Sequence, residues 1–119
     1  MAKGFKREQR INDLIQTTLA EIIQREATDL HLGMITLTGV NVSHDLASAK
    51  IFVSVLEEDN ASRVLVALNN AAKFLRYELA NAVELRVTPE LKFIYDDSSV
   101  RGSRITSLIN NALKKNNSQ

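Results

Sequence analysis

Hydrophobic residues recur in the first part of the chain at intervals of three and four, the repeat of an α-helix with one buried side. We predict a helix over roughly residues 6–26. Its apolar stripe consists of Ile11, Leu14, Ile15, Leu19, Ile22 and Ile23. Lys6 and Arg10 are four residues apart and share a side of this helix away from most of the stripe. The pattern therefore predicts a helix that packs on a core and turns basic residues outward.

The repeat then shortens to two residues, which is typical of β-strands. Ile35 and Leu37 share one face, but beyond Gly39 the apolar residues are Val40 and Val42, which have the opposite parity. This switch predicts a β-bulge near Gly39. A second strand follows a short turn, with Ile51, Val53 and Val55 inward and Lys50, Phe52 and Ser54 outward. Two strands so close in sequence are expected to pair as an antiparallel hairpin.

The second half of the chain predicts a helix, a strand and a last helix. The helix has an unbroken apolar stripe of Val64, Leu68, Ala71, Ala72, Leu75, Leu79 and Ala82. The strand covers about residues 84–95, and Pro89 marks an edge position or a bulge within it. Leu85, Val87, Leu91, Phe93 and Tyr95 share one face of that strand. The last helix is expected from about residue 105, with Lys114 and Lys115 in its last turn, and residues 116–119 should form a frayed tail.

This order of elements predicts one α+β domain over residues 1–115, with helices packed on one face of a three-stranded sheet. The length of 119 residues fits a single domain, and 45% hydrophobic with 24% charged residues fits a globular one. We expect the core to include Leu14, Ile22, Ile51, Val53, Leu68, Leu75, Leu79 and Phe93.

Composition argues against catalysis. The chain has no cysteine, which excludes disulfides, Cys-ligated metals and thiol catalysis. Its two histidines stand alone in predicted turns, and no phosphate-binding glycine motif occurs. We therefore expect no catalytic residue, no metal and no cofactor, and the adjacent Asp96 and Asp97 are expected to cap a helix. No secretory signal or membrane-spanning stretch is visible, so the expected location is the cytoplasm without a membrane partner.

The charge is distributed unevenly along the chain. Residues 1–10 carry four basic residues and one acid, residues 98–119 carry four basic residues and no acid, and the segment between them has seven bases and thirteen acids. Basic ends on an acidic body suit a polyanion such as RNA. The candidate phosphate contacts are Lys3, Lys6, Arg7, Arg10, Lys73, Arg76, Arg101 and Arg104. The alternative is a protein–protein interaction or dimerisation module with incidental basic termini.

Phe52 stands apart from the other aromatic residues, because its strand alternation points it away from Ile51 and Val53. An outward aromatic side chain on a strand is suited to stacking on a nucleic-acid base. A second layer covering that face of the sheet explains the residue equally well.

Several segments carry a family resemblance. They are Leu32-Gly33-Met34, the run from Val40 to Leu46, the run from Ala49 to Val53, and above all the run from Leu85 to Ser98. The last of these contains the pattern P-E-L-x-F-x-x-D-x-S after a long helix. In these motifs and in their order the sequence resembles the bacterial ribosome-binding factor A family. The resemblance extends from Arg7 to Arg104.

The resemblance implies a type-II KH-like fold, of order α-β-β-α(kink)α-β followed by a C-terminal helix. It implies a monomer that binds the immature 30S subunit and assists late 16S rRNA maturation, 5′-end processing and cold adaptation. KH domains usually clamp RNA with a GXXG loop, which this chain lacks. The family's Ala-x-Gly kink corresponds to Ala71, Ala72 and Lys73. A break is therefore expected there, although periodicity alone predicts a straight helix.

Overall fold

The helices and strands follow the predicted order up to the third strand. A computed structural model describes residues 2–97, with side chains from residue 7 onward. The elements are α1 (Ala2–Glu26), β1 (Ile35–Val42), β2 (Ser48–Val55), a 3₁₀ turn (Glu58–Asn60), α2 (Ala61–Asn70), α3 (Ala72–Ala82) and β3 (Glu90–Tyr95). The predicted last helix and tail lie outside the described residues.

The three strands form one mixed sheet in the order β1-β2-β3. β1 and β2 pair antiparallel, with the register shift between Leu37 and Gly39, so the predicted hairpin and bulge are confirmed. β3 pairs with β2 in parallel, with Ile51 beside Phe93. Parallel neighbours need a long crossover connection, and here α2 and α3 supply it.

The core lies between the helices and one face of this sheet. It combines the α1 stripe with inward residues of all three strands and with apolar residues of α2 and α3. The fully buried large side chains include Ile15, Leu19, Leu32, Ile51, Leu68, Leu75 and Leu79. All the described helices pack on the same face of the sheet, so no described helix covers its other face.

The core prediction was wrong at Leu14. Its side chain is 43% exposed, whereas Ile15 is fully buried. At about 100° per residue, Leu14 lies about 60° beyond Ile11 on the side away from the rest of the stripe, so it falls at the border of the buried face. The other predicted core residues are all buried, namely Ile22, Ile51, Val53, Leu68, Leu75, Leu79 and Phe93.

The long helix predicted from periodicity is divided at Ala71, as the family resemblance implied. Ala71 has φ −90° and ψ 3° and belongs to neither helix. Its N–H still donates to the Ala67 carbonyl (3.0 Å), and its own carbonyl accepts from Leu75 N–H (2.9 Å). One residue with a negative φ hardly changes the phase of the apolar stripe, so periodicity could not reveal the break. This conformation also requires no glycine, and Lys73 fits within α3.

The third strand is shorter than predicted and begins at Glu90 rather than near residue 84. The residues before it connect α3 to the start of β3, and Val87 among them is 46% exposed. Pro89 is fully buried directly before the strand. Glu90 N–H donates to the Ala47 carbonyl (2.9 Å), which fixes where β3 begins. Proline cannot donate to a ladder, so it ends the connection instead of lying inside a strand.

The outer edge of β3 is held by a side chain of α2. Asn69 Oδ1 accepts from Phe93 N–H (2.9 Å), and Asn69 Nδ2 donates to the Phe93 carbonyl (3.2 Å). One carboxamide thus satisfies both backbone groups of Phe93, as a neighbouring strand would. This pair of bonds ties α2 to the sheet directly before the break at Ala71.

Replacing Leu75 or Phe93 by alanine should each lower the free energy of unfolding by ~2–5 kcal/mol, because each change removes buried surface and leaves a cavity. Chemical denaturation measures the effect. Leu14→Ala is the matched control and should cost less than about 1 kcal/mol, because that side chain is exposed at the border of the buried stripe. Equal losses at Leu14 and Leu75 would contradict this assignment of the core.

Asn69→Ala should lower the free energy of unfolding by ~1–3 kcal/mol, because two hydrogen bonds to Phe93 are lost. Asn70→Ala is the control. Asn70 is also exposed near the end of α2, and replacing it by alanine raises the helix propensity by the same amount. Thermal unfolding of both variants checks the prediction. An Asn69 variant as stable as the Asn70 variant would show that water replaces the carboxamide without cost.

Candidate nucleic-acid interface

Two amide side chains fix the orientation of α1 against the first strand. Asn12 Oδ1 accepts from Val42 N–H (3.0 Å), and Gln16 Nε2 donates to the Leu37 carbonyl (3.1 Å). As residue numbers rise along α1, those of their partners on β1 fall, so α1 runs antiparallel to β1. The amino-terminal half of α1 therefore lies beside the carboxyl end of β1.

Arg7 and Arg10 of α1 lie away from this contact. At about 100° per residue, the four basic positions of this segment of the sequence fall within a helical sector of about 100° opposite the buried stripe. These positions are Lys3, Lys6, Arg7 and Arg10. The side chains of Arg7 and Arg10 are exposed. Glu8 lies on the inner side, where its Oε1 is 3.0 Å from His44 Nδ1, so the acid of this segment is turned away from the basic sector.

A second basic group lies on α3, directly after the break. Lys73 is exposed, and Tyr77, one turn later, is 64% exposed. Together with Arg76 and Thr88 they line a shallow hollow of about 490 Å³. A cation beside an accessible aromatic ring matches what a nucleotide offers, a phosphate and a base.

Arg76 is partly committed to the fold. Its Nε and Nη2 both donate to the Thr88 carbonyl, at 3.1 and 2.8 Å. A guanidinium has five N–H donors, so three remain after these two bonds. Arg76 therefore holds the connection before β3 and can still offer donors to the hollow, whereas Lys73 has no structural bond among the described residues.

The turn between β1 and β2 links the two basic groups. His44 in this turn contacts Glu8 of α1, and Ala47 accepts the backbone hydrogen bond from Glu90, two residues after Thr88. Arg7 and Arg10 on one side and Arg76 on the other thus lie toward the same end of the sheet. The third predicted group, Arg101 and Arg104, lies outside the described residues.

The same turn contains an acid with a defined structural role. Asp45 Oδ1 accepts from the Ser43 hydroxyl (2.7 Å) and from Ala47 N–H (3.1 Å). These two hydrogen bonds, the Ser43 bond foremost, lower the pKa of Asp45. They stabilise the carboxylate, so their contribution to the turn is present at neutral pH and is lost when acid protonates Asp45.

Sequence reasoning missed Tyr77, which periodicity leaves off the apolar stripe without giving it a role. Its spacing of four residues from Lys73 was the available signal, since such residues are neighbours on a helix. Within residues 2–97 no group of three His, Asp or Glu side chains is placed to hold a metal ion. No helix in that part of the chain is long and apolar enough to cross a membrane.

Comparison with known proteins agrees with the fold and the motifs. The ribosome-binding factor A family matches residues 7–109. A protein of that name from Pseudomonas fluorescens is 45% identical over 120 residues, covering 98% of this chain and 90% of its own length. Another from Pseudomonas paraeruginosa is 47% identical over 116 residues, covering 95% and 91%.

Solved structures of the same name have the same architecture. The crystal structure of ribosome-binding factor A from Thermus thermophilus aligns with a TM-score of 0.67 and 28% identity, over 74% of this chain and 94% of its own. A homology model of the Thermus thermophilus factor, fitted into the cryo-EM map of its 30S complex, aligns with a TM-score of 0.59 and 32% identity, over 71% and 90%. These relatives have a KH-like fold. The chain therefore belongs to the ribosome-binding factor A family.

Proposed function

We propose that this protein is a non-enzymatic ribosome assembly factor that binds the immature 30S subunit. It would act as a cytoplasmic monomer on 16S rRNA or its precursor, late in maturation, and assist 5′-end processing and growth in the cold. Residues 1–115 would form one KH-like RNA-binding domain, followed by a short tail over residues 116–119. The observation that carries the proposal is the alignment with a relative fitted into the map of a 30S complex.

The distribution of charge supports an RNA partner. Arg7 and Arg10 are exposed on the outer side of α1, and Lys73 is exposed at the start of α3 beside Arg76. Contacts with phosphates give affinity that depends strongly on salt, whereas the shape of the folded rRNA gives specificity. Lys3, Lys6, Arg101 and Arg104 extend the proposed set of phosphate contacts.

The proposed mechanism is a shift of conformational population and needs no chemical step. A factor that binds one arrangement of the rRNA better than another raises the share of the arrangement it prefers. A tenfold difference in affinity shifts the equilibrium by about 1.4 kcal/mol. Such a preference would hold the subunit in a conformation that processing enzymes recognise, without any catalytic residue in the factor itself.

Cells depleted of this protein should accumulate immature 30S subunits that contain 16S rRNA with an unprocessed 5′ end, and more so at low temperature. Sucrose-gradient sedimentation and primer extension measure the two effects. A depleted strain with mature 16S rRNA and a normal subunit profile at both temperatures would contradict the assembly role.

The double variant Arg7→Gln/Arg10→Gln should bind purified immature 30S subunits more weakly and with a smaller salt dependence. The slope of log affinity against log salt should fall by about 1.4–1.8, since each phosphate contact contributes ~0.7–0.9. Arg25→Gln/Arg63→Gln is the matched control, because it removes two arginines of the helical layer that are bonded within the protein, to Glu78 and the His31 carbonyl.

The same measurement separates RNA binding from the protein–protein alternative. A contact with RNA weakens steeply as salt rises, whereas an apolar protein interface hardly responds. Binding that is insensitive to salt and unchanged in the Arg7/Arg10 variant would reject the proposed contacts and favour a protein partner.

A further inference from the structure

The face of the sheet that turns away from the helices carries a basic pair. Lys50 on β2 and Lys92 on β3 are register partners in the parallel ladder, and both are exposed. Neighbouring strands are ~4.8 Å apart, so the two side chains leave the sheet side by side. Among the described residues no carboxylate lies within salt-bridge distance of either lysine. Like charges in adjacent positions destabilise a sheet, and a bound anion would remove that cost.

Two acids belong to this face in the part of the chain that the structure describes, Glu90 and Asp96. Glu90 is two register pairs before Lys92, at the next position on the same face, opposite Ser48. Asp96 directly follows β3 and reaches across β2 to β1, where its Oδ2 accepts from the Thr38 hydroxyl (2.6 Å). Neither Lys50 nor Phe52 has an acid as a register partner on a neighbouring strand.

An aromatic ring lies next to the lysines in the middle of the face. Phe52 follows Lys50 by two residues on β2, and its register partners are Gly39 on β1 and Ile94 on β3. A Cβ at Gly39 would lie 3.9 Å from Phe52 Cδ2. Glycine therefore leaves the β1 side of the ring uncovered, while Ile94 supports the other side. The ring is half-buried, so it is held in place and still accessible.

We propose that this outer face, formed by Lys50, Phe52 and Lys92, binds single-stranded RNA. Phe52 stacks on an unpaired base, and the two lysines contact the phosphates beside it. The inference rests on the proposed function, because it assigns a second RNA surface to the same factor, on the side of the sheet opposite α1 and α3. An aromatic residue with basic neighbours on a flat sheet suits an unpaired strand. Bases stacked within a duplex have no free face to offer the ring.

The test uses the full-length protein and a labelled single-stranded RNA of about 10 nucleotides, within the ~4–16 that such surfaces cover. Phe52→Leu should weaken binding about fivefold or more by removing the stack, whereas Phe52→Tyr should retain it. Lys50→Gln/Lys92→Gln should reduce the salt slope by about 1.4, two single-strand phosphate contacts of ~0.7 each. Arg25→Gln/Arg63→Gln should change neither quantity.

A second variant tests the ring without altering it. Gly39→Val places a side chain against the exposed side of Phe52 and should weaken binding as Phe52→Leu does. Circular dichroism establishes that each variant is folded. A duplex of the same sequence should bind the wild type more weakly than the single strand.

The inference is overturned if the wild type does not bind the single strand or binds the duplex equally well. It is also overturned if the Phe52→Leu and Lys50/Lys92 variants bind like the wild type, or if the Arg25/Arg63 control loses as much affinity as they do. Immature 30S subunits are tested in parallel. If subunit binding weakens with salt and is the same in the outer-face variants as in the wild type, this surface alone is rejected. If the wild type binds subunits with an affinity that does not change with salt, the proposed function is rejected.

Discussion

The parallel pairing of β3 with β2 is the constraint on which the rest of the structure depends. A parallel neighbour cannot be reached by a tight turn, so the chain must cross the sheet between Val55 and Glu90. The crossover consists of α2 and α3, and α3 packs beside α1. Leu68 and Leu75, on either side of the break at Ala71, are both fully buried. The same pairing places Lys92 beside Lys50 on the opposite face, so both proposed RNA surfaces follow from it.

The hydrophobic pattern of the sequence predicted those features of the fold that depend on neighbouring residues. The change of parity around Gly39 predicted the bulge, and the stripe of α1 predicted its buried side except at Leu14, which lies at the border of that stripe. The short distance in sequence between β1 and β2 predicted their hairpin. These features depend on residues only a few positions apart, which is why the sequence alone could predict them.

The remaining features depend on contacts between distant residues. No local signal distinguishes Ala71 from the helical residues around it, and only the family resemblance placed a break there. The start of β3 is set by Ala47, which receives the Glu90 hydrogen bond from a distant part of the sequence. Arg76 is similar, because its sequence position indicated a free base while the structure uses two of its donors to hold Thr88.

The two faces of the domain have different chemical character. On the helical side, exposed basic residues lie on the surface of the packed helices, with Arg7 on α1 and Lys73 beside the exposed ring of Tyr77. This arrangement suits the phosphates on the outside of a folded RNA. The outer sheet face is flat, with one ring between a glycine and an isoleucine, and suits an unpaired base. A factor with both can bind the folded body of an immature subunit and a strand that has not yet found its partner.

The most direct test of this account is a cryo-EM structure of the full-length protein on an immature 30S subunit. We expect rRNA phosphates against Arg7, Arg10 and Lys73 on the helical side, and an unpaired nucleotide stacked on Phe52 on the outer face of the sheet. A complex in which the protein contacts ribosomal proteins only, with the α1 arginines, Lys73 and Phe52 all in solvent, would contradict it.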